Sequence, residues 1–198
     1  DGDYPAALER LLRVLEAPGG ERFLERVALL TGELYPTVEL ARDGRAARFS
    51  PDGRLAAFET GAGPETETHI LALDGAAPRV VARLRGRGLV FGPGRVAYLA
   101  PGETPAVKAA RAELARAEAG DGAPTDPRAL AARRAALARE EARAARVVVR
   151  DLASGREEEW PAPGLAKLAL AFAGRGPTLV LAAEEGDTAR ADLYTLER

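Results

Sequence analysis

The run Ala47-Arg48-Phe49-Ser50-Pro51-Asp52-Gly53-Arg54-Leu55-Ala56-Ala57-Phe58 reads as two short apolar strands joined by a tight turn. The turn has a mechanism: proline presets φ at the first corner, aspartate bonds back to the backbone, and glycine takes the positive φ that a β-carbon resists. The unit recurs. Leu89-Val90-Phe91-Gly92-Pro93-Gly94-Arg95-Val96-Ala97-Tyr98 repeats it closely, and the stretch from Leu170 to Leu181 repeats it loosely around Phe172. Further strand-like pieces follow the copies, at Thr68–Gly75, Arg146–Leu152 and Ala191–Leu196. A recurring antiparallel four-strand unit of about forty residues predicts β-propeller blades.

Working outward, Tyr4 to about Leu30 predicts two helices. Asp3 is a possible N-cap before Pro5, Leu8, Leu11, Leu12 and Leu15 form one stripe, and Pro18-Gly19-Gly20 stops it. Phe23, Leu24, Val27 and Leu30 form a second stripe that Thr31-Gly32 ends. The best-formed blade follows, with a second hairpin expected around Asp74-Gly75. Thr104 to Arg146 then switches to Ala, Arg, Glu and Leu, predicting two helices about Gly120–Pro124, the second capped by Asp126 with Pro127 in its first turn. Val107 and Leu114, and Leu130 and Leu137, give each helix a narrow seam suited to antiparallel packing. Phe91 follows Phe49 by 42 residues and Phe172 follows Phe91 by 81, so the excess of 39 matches this insert. The expected fold is therefore mainly β: a partial propeller of about three four-stranded antiparallel blades over 34–198, with N-terminal helices over 1–33 and a helical hairpin inserted at 104–146. Propellers close with roughly four to eight blades, so three units leave the ring to be completed by the rest of a parent polypeptide or by a second chain.

Composition narrows the function classes. The chain has 46% hydrophobic residues but no uninterrupted apolar run near twenty, so no membrane insertion is expected. It carries no cysteine, which removes disulfides, thiolate zinc sites and thiol catalysis. It begins at Asp1 and contains no methionine, the pattern left by a removed export signal or by trimming of a longer polypeptide. The first origin places the protein in the periplasm or outside the cell. Net charge is −2 with both signs interspersed, which gives no long-range pull on nucleic acid. The insert carries nine basic residues against six acidic ones, without an aromatic residue to stack on bases, so its helices are read as a solvated hairpin and no nucleic-acid partner is expected.

The catalytic inventory is short. His69, the one histidine, alternates with Ile70 in an apparent strand, Ser50 and Ser154 lie in turns, and no G-x-S-x-G elbow occurs. Asp52, Asp74 and Asp151 each belong to a turn, so no metal site is expected. Gly86-Arg87-Gly88 and Gly92-Pro93-Gly94 lead into no helix and read as blade turns rather than phosphate cradles. No cofactor is expected.

Phe49-Ser50-Pro51-Asp52-Gly53-Arg54-Leu55-Ala56 resembles the F-S-P-D-G-x-x-hydrophobic-A repeat of TolB-type propellers and of the propeller domains in prolyl oligopeptidase and dipeptidyl peptidase family serine peptidases. The second copy keeps Phe91, Pro93 and Gly94; the third keeps Phe172 and its glycines. Helices ahead of the blades and a helical insertion are more similar to the peptidase arrangement than to TolB, where an α/β domain precedes the propeller. The resemblance implies a noncatalytic propeller portion of an exported serine peptidase, gating access to an active site on a separate α/β-hydrolase domain and positioning peptide substrate. It also implies a candidate substrate-binding pair: dipeptidyl peptidases hold the substrate's amino terminus with paired glutamates on a helical insertion, and Glu140-Glu141 occupy the insertion here. The aromatic motif around that pair is missing. Glu157-Glu158-Glu159-Trp160 reads as an outer blade strand. The alternative is a TolB-like scaffold that binds partner proteins without enzymatic activity.

Overall fold

The computed structural model describes residues 4–31, 39–75, 77–119, 126–174, 176, 178–186 and 190–197. The chain divides into two compact units, Asp1–Arg42 and Asp43–Arg198. The first holds helices α1 (Tyr4–Glu16) and α2 (Leu24–Thr31), linked through a 3₁₀ turn at Gly20–Phe23. The proposed cap at Asp3 and the break at Gly32 lie outside the described residues. Val27 and Ala28 are buried, but Leu24 is exposed despite its place in the predicted stripe. Its N–H closes the 3₁₀ turn on Glu21 O, so the turn rather than the α-helical period aims its side chain.

The second unit is built from three antiparallel sheets in sequence order. Strands β1 (Arg45–Phe49), β2 (Leu55–Thr60), β3 (Glu67–Ala72) and β4 (Arg79–Arg85) make the first, in the order β1-β2-β3-β4. Strands β5 (Arg87–Gly92), β6 (Arg95–Ala100), β7 (Arg146–Asp151) and β8 (Glu157–Trp160) make the second, again in chain order. The third holds β9 (Leu165–Phe172), β10 (Leu179–Glu185) and β11 (Ala191–Leu196), three strands among the described residues where the repeat predicts four. The first strands lie side by side, β1 against β5 and β5 against β9. Each sheet is thus a blade, and the unit is a partial β-propeller.

Local chemistry explains the hairpins. Ser50 Oγ donates to Asp52 at 2.6 Å, Asp52 accepts the Arg54 N–H at 3.1 Å, and Gly53 turns the corner at φ 70°. The second predicted hairpin has a longer connection than Asp74-Gly75 alone. Leu73 N–H donates to Arg54 O at 2.8 Å, which keeps Leu73 in line with β3, and the register pairs Ala72 with Arg79.

Alternation along the strands sets how the blades stack. In β6, Val96, Tyr98 and Ala100 face the first sheet and pack with Ala57, Ile70 and Leu84. Ala97 and Leu99 face the other way, packing with Val147, Val149 and Trp160 against Leu170, Leu179 and Leu181 of the third sheet. The middle blade is therefore buried on both faces. The repeated phenylalanines follow one rule: Phe91 packs toward the first sheet and Phe172 toward the second, each onto the blade before its own. Phe172 lies so close to Gly92 that a β-carbon there would sit 2.7 Å from its ring. That contact explains why the second copy has glycine where the first has Ser50. Phe49, on the outward face of the first blade, is 68% exposed.

The insert forms helices α3 (Pro105–Ala119) and α4 (Pro127–Ala144), packed against each other and joined between β6 and β7. Asp126 caps α4 by accepting the Arg128 N–H at 3.0 Å. The hairpin does not stand free in solvent, as its composition suggests; α4 packs along β9. Lys167 of β9, 4% exposed, donates to Arg143 O and Leu165 O at 2.9 Å each, placing a cation at the C-terminal end of α4. Burial pushes this amine's pKa below the usual lysine range.

Two substitutions test the stack. Leu181→Ala, at a fully buried position between the second and third blades, is expected to lower unfolding free energy by about 2–5 kcal/mol, whereas Leu193→Ala, 76% exposed on the outward face, should change it by less than about 0.5 kcal/mol. Urea denaturation followed by far-UV circular dichroism measures both. In the same assay Gly92→Ala should destabilise, because the added methyl meets the Phe172 ring; a neutral result there contradicts the packing rule.

Candidate functional site

The first two blades pack tightly near β5 and β6 but part toward their outer strands, β4 and β8. Between these edges opens a groove of about 760 Å³. Leu84, Tyr98 and Val148 form its apolar floor; Arg83 and Arg85 stand on one wall, Glu157, Glu158 and Glu159 on the other. The acidic wall comes from strand geometry. Register sets Glu157 opposite Arg150, and Glu157 Oε1 accepts from Arg150 at 2.8 Å; across the strands Glu159 meets Arg146 at 3.2 Å. On the opposite wall Arg85 pairs with Glu65 at 2.9 Å. The groove presents near-balanced charges of both signs over an apolar floor.

Tyr98 joins floor to wall. Burial first, then the nearby Glu157 carboxylate, push the pKa of its hydroxyl up to about 12. The phenol stays protonated at neutral pH and lines the base of the groove.

A second cavity of about 200 Å³ adjoins the groove, sharing Pro64, Ala100, Pro101, Gly102 and Arg111 with it. Arg45, Glu59, Arg87, Arg111 and Glu141 supply its charged lining. Glu140 and Glu141 are adjacent in α4 but serve different partners, since successive helical residues point about 100° apart. Glu140 Oε1 accepts from Arg143 at 2.8 Å. Glu141 Oε1 accepts from Arg111 of α3 at 3.2 Å and borders the smaller cavity. Glu140 lines neither cavity.

His69 stacks on Phe58 with ring centroids 5.1 Å apart and planes 4° from parallel, and its Nε2 lies 3.1 Å from Thr60 Oγ1. Ser50 and Ser154 hydroxyls both donate to turn aspartates, Asp52 and Asp151. These serine hydroxyls and the associated backbone bonds hold both carboxyls below their ordinary pKa. Among the described residues no group of three or more His, Asp or Glu is placed to hold a metal ion, and no helix is long and apolar enough to cross a membrane. Sequence reasoning passed over the groove itself. Its available signal was the alternation of Glu157 and Glu159 on one strand with Arg150 and Arg146 on the strand before it.

No protein-family model matches the chain, and no curated protein matches it. Among solved structures the chain is similar to the β-propeller domain of the Trilobed protease from Pyrococcus furiosus, described as having an open velcro topology. Identity is 14% and the TM-score 0.40, over 79% of this chain and 41% of that one.

Tyr98 gives the groove a titration signature. Because its folded pKa lies above the ordinary phenol value near 10, the associated stability is complete below about pH 10 and is lost as pH rises toward about 12. Denaturation midpoints across that window should fall for the native chain and fall less for Tyr98→Phe; parallel curves contradict the assignment.

Proposed function

We propose that this chain is a noncatalytic, peptide-handling propeller portion of an exported serine peptidase of the prolyl oligopeptidase kind, with blades of TolB-type repeats. The observation that carries the reading is the groove between the first and second blades. It encloses about 760 Å³, is apolar at its base, and is lined on opposite walls by arginines and glutamates that complement a peptide's own mixed charge. The F-S-P-D-G turn and the placement of the helical insert supply the link to the peptidase family. In this reading the propeller admits peptides selectively and presents them to an active site on another domain.

A second reading has its own observation. Phe91 and Phe172 each cover the preceding blade, while Phe49 points outward at 68% exposure and Leu193 points outward at 76% from the last blade. Both outward faces fit further blades, supplied by the rest of a parent polypeptide or by a second chain. A TolB-like scaffold that docks partner proteins would use the same faces.

Hydrogen exchange separates the two. Incubation with a mixture of short peptides is expected to slow amide exchange at Arg83–Arg85 and Glu157–Trp160, and the charge reversal Glu159→Lys, at an exposed position, should weaken that protection several-fold. Protection confined to β1 and β11 in the presence of a partner protein, with none in the groove, would favour the scaffold and remove the peptide-handling role.

A further inference from the structure

The lining of the smaller cavity is net positive by one charge, where that of the groove, with four arginines against five glutamates, is net negative by one. The smaller cavity's walls hold three guanidiniums, Arg45, Arg87 and Arg111, against two carboxylates, Glu59 and Glu141. Both carboxylates are already engaged. Glu59, 8% exposed, accepts the Gly88 N–H at 2.6 Å and lies 3.7 Å from Arg45. Glu141 is held by Arg111 at 3.2 Å, and Arg111 also lies 3.6 Å from Glu103, which leaves Arg87 as the cavity's uncommitted cation among the described residues. Arg45 is further occupied by Thr66 Oγ1 at 3.2 Å and by the Gly61 carbonyl. Arg87 has no carboxylate partner among the described residues. It sits at the start of β5, between Gly86 and Gly88, at the mouth of the cavity.

A guanidinium in excess, at the rim of a concave site where water is partly displaced, favours an anion, and the planar fork matches a carboxylate in particular. An entering ammonium would meet net positive charge and two carboxylates whose hydrogen bonds are already made. The volume, about 200 Å³, suits one small group rather than a chain segment. We propose that this cavity binds a single carboxylate, with Arg87 as its main partner. The carboxylate is either the C-terminus of a peptide or an acidic side chain. This rests on the peptide-handling reading and makes it more specific: the insert-side cavity selects an acidic group, where the paired-glutamate analogy implies recognition of an amino terminus.

Isothermal titration with four probes tests the assignment: an N-acetylated tripeptide with a free carboxyl, its C-terminal amide, the amide with one Glu side chain, and N-acetylalanine. The free-carboxyl or Glu-bearing peptide should bind about tenfold or more tightly than the plain amide, with the advantage shrinking at high salt. Which of the two gains tells terminus from side chain. Arg87→Gln should abolish the advantage, while Arg79→Gln, at an exposed β4 position that lines neither cavity, should leave it intact. Glu141→Gln, which removes a competing carboxylate, should tighten binding several-fold; weaker binding with this variant would instead indicate an amine site and overturn the proposal. Equal affinity for all peptides also overturns it while leaving peptide handling in place. If no peptide binds but N-acetylalanine does, and Arg87→Gln loses it, the cavity stands and the peptide reading falls; no binding of any probe sinks both. Thermal unfolding of each variant confirms that the substitutions leave the fold intact.

Discussion

The architecture of the larger unit depends on the middle blade being buried on both faces. Successive side chains of a strand point to opposite sides, so a strand covered on one face alternates apolar and polar residues, while one covered twice must be apolar throughout. Val96 to Ala100 and Val147 to Val149 meet that demand without a charged residue. Their small and branched side chains let two flanking sheets approach at once. The first and last blades need only one such face, which is why β1 and β11 carry Arg45, Arg48, Asp192 and Thr195 among their exposed residues.

From that stack the cavities follow. Sheets pressed together at their inner strands must part somewhere, and here they part between β4 and β8, where Arg and Glu replace Val and Leu. Tyr98 marks the border, its ring in the core between blades and its hydroxyl at the first carboxylate of the polar zone. The helical insert leaves the same blade between β6 and β7, so its base lies beside the cavity at Ala100–Gly102. Lys167, Arg143 and Arg139 tie α4 to the third blade: Arg143 bonds to the Gly186 carbonyl at 2.5 Å and Arg139 lies 3.7 Å from Glu184. Individually such partly exposed contacts contribute little; the buried amine of Lys167, bonded to two carbonyls, is the specific anchor.

Much of the fold was legible because its signals are local. The Ser50-Pro51-Asp52-Gly53 turn, the Asp126-Pro127 helix start and the spacing of Phe49, Phe91 and Phe172 each depend on residues within a few positions of one another or on simple recurrence. The candidate site was far less legible. Glu140 and Glu141 look equivalent in sequence, yet a 100° turn of helix sends one to Arg143 and the other to Arg111, thirty residues away. Glu157 to Glu159 read correctly as an outer strand, but nothing local says that the outer edge of one blade faces Arg83 and Arg85 of another.

By itself, then, the amino-acid order determined the repeating unit, its turns and the helical character of the insert, since backbone preference and side-chain periodicity act over short separations. Tertiary structure alone decided which charges share a cavity, why Gly92 must lack a side chain beneath Phe172, and where α4 comes to rest. Those outcomes are set by contacts between residues tens of positions apart, and they exist only once the blades have stacked.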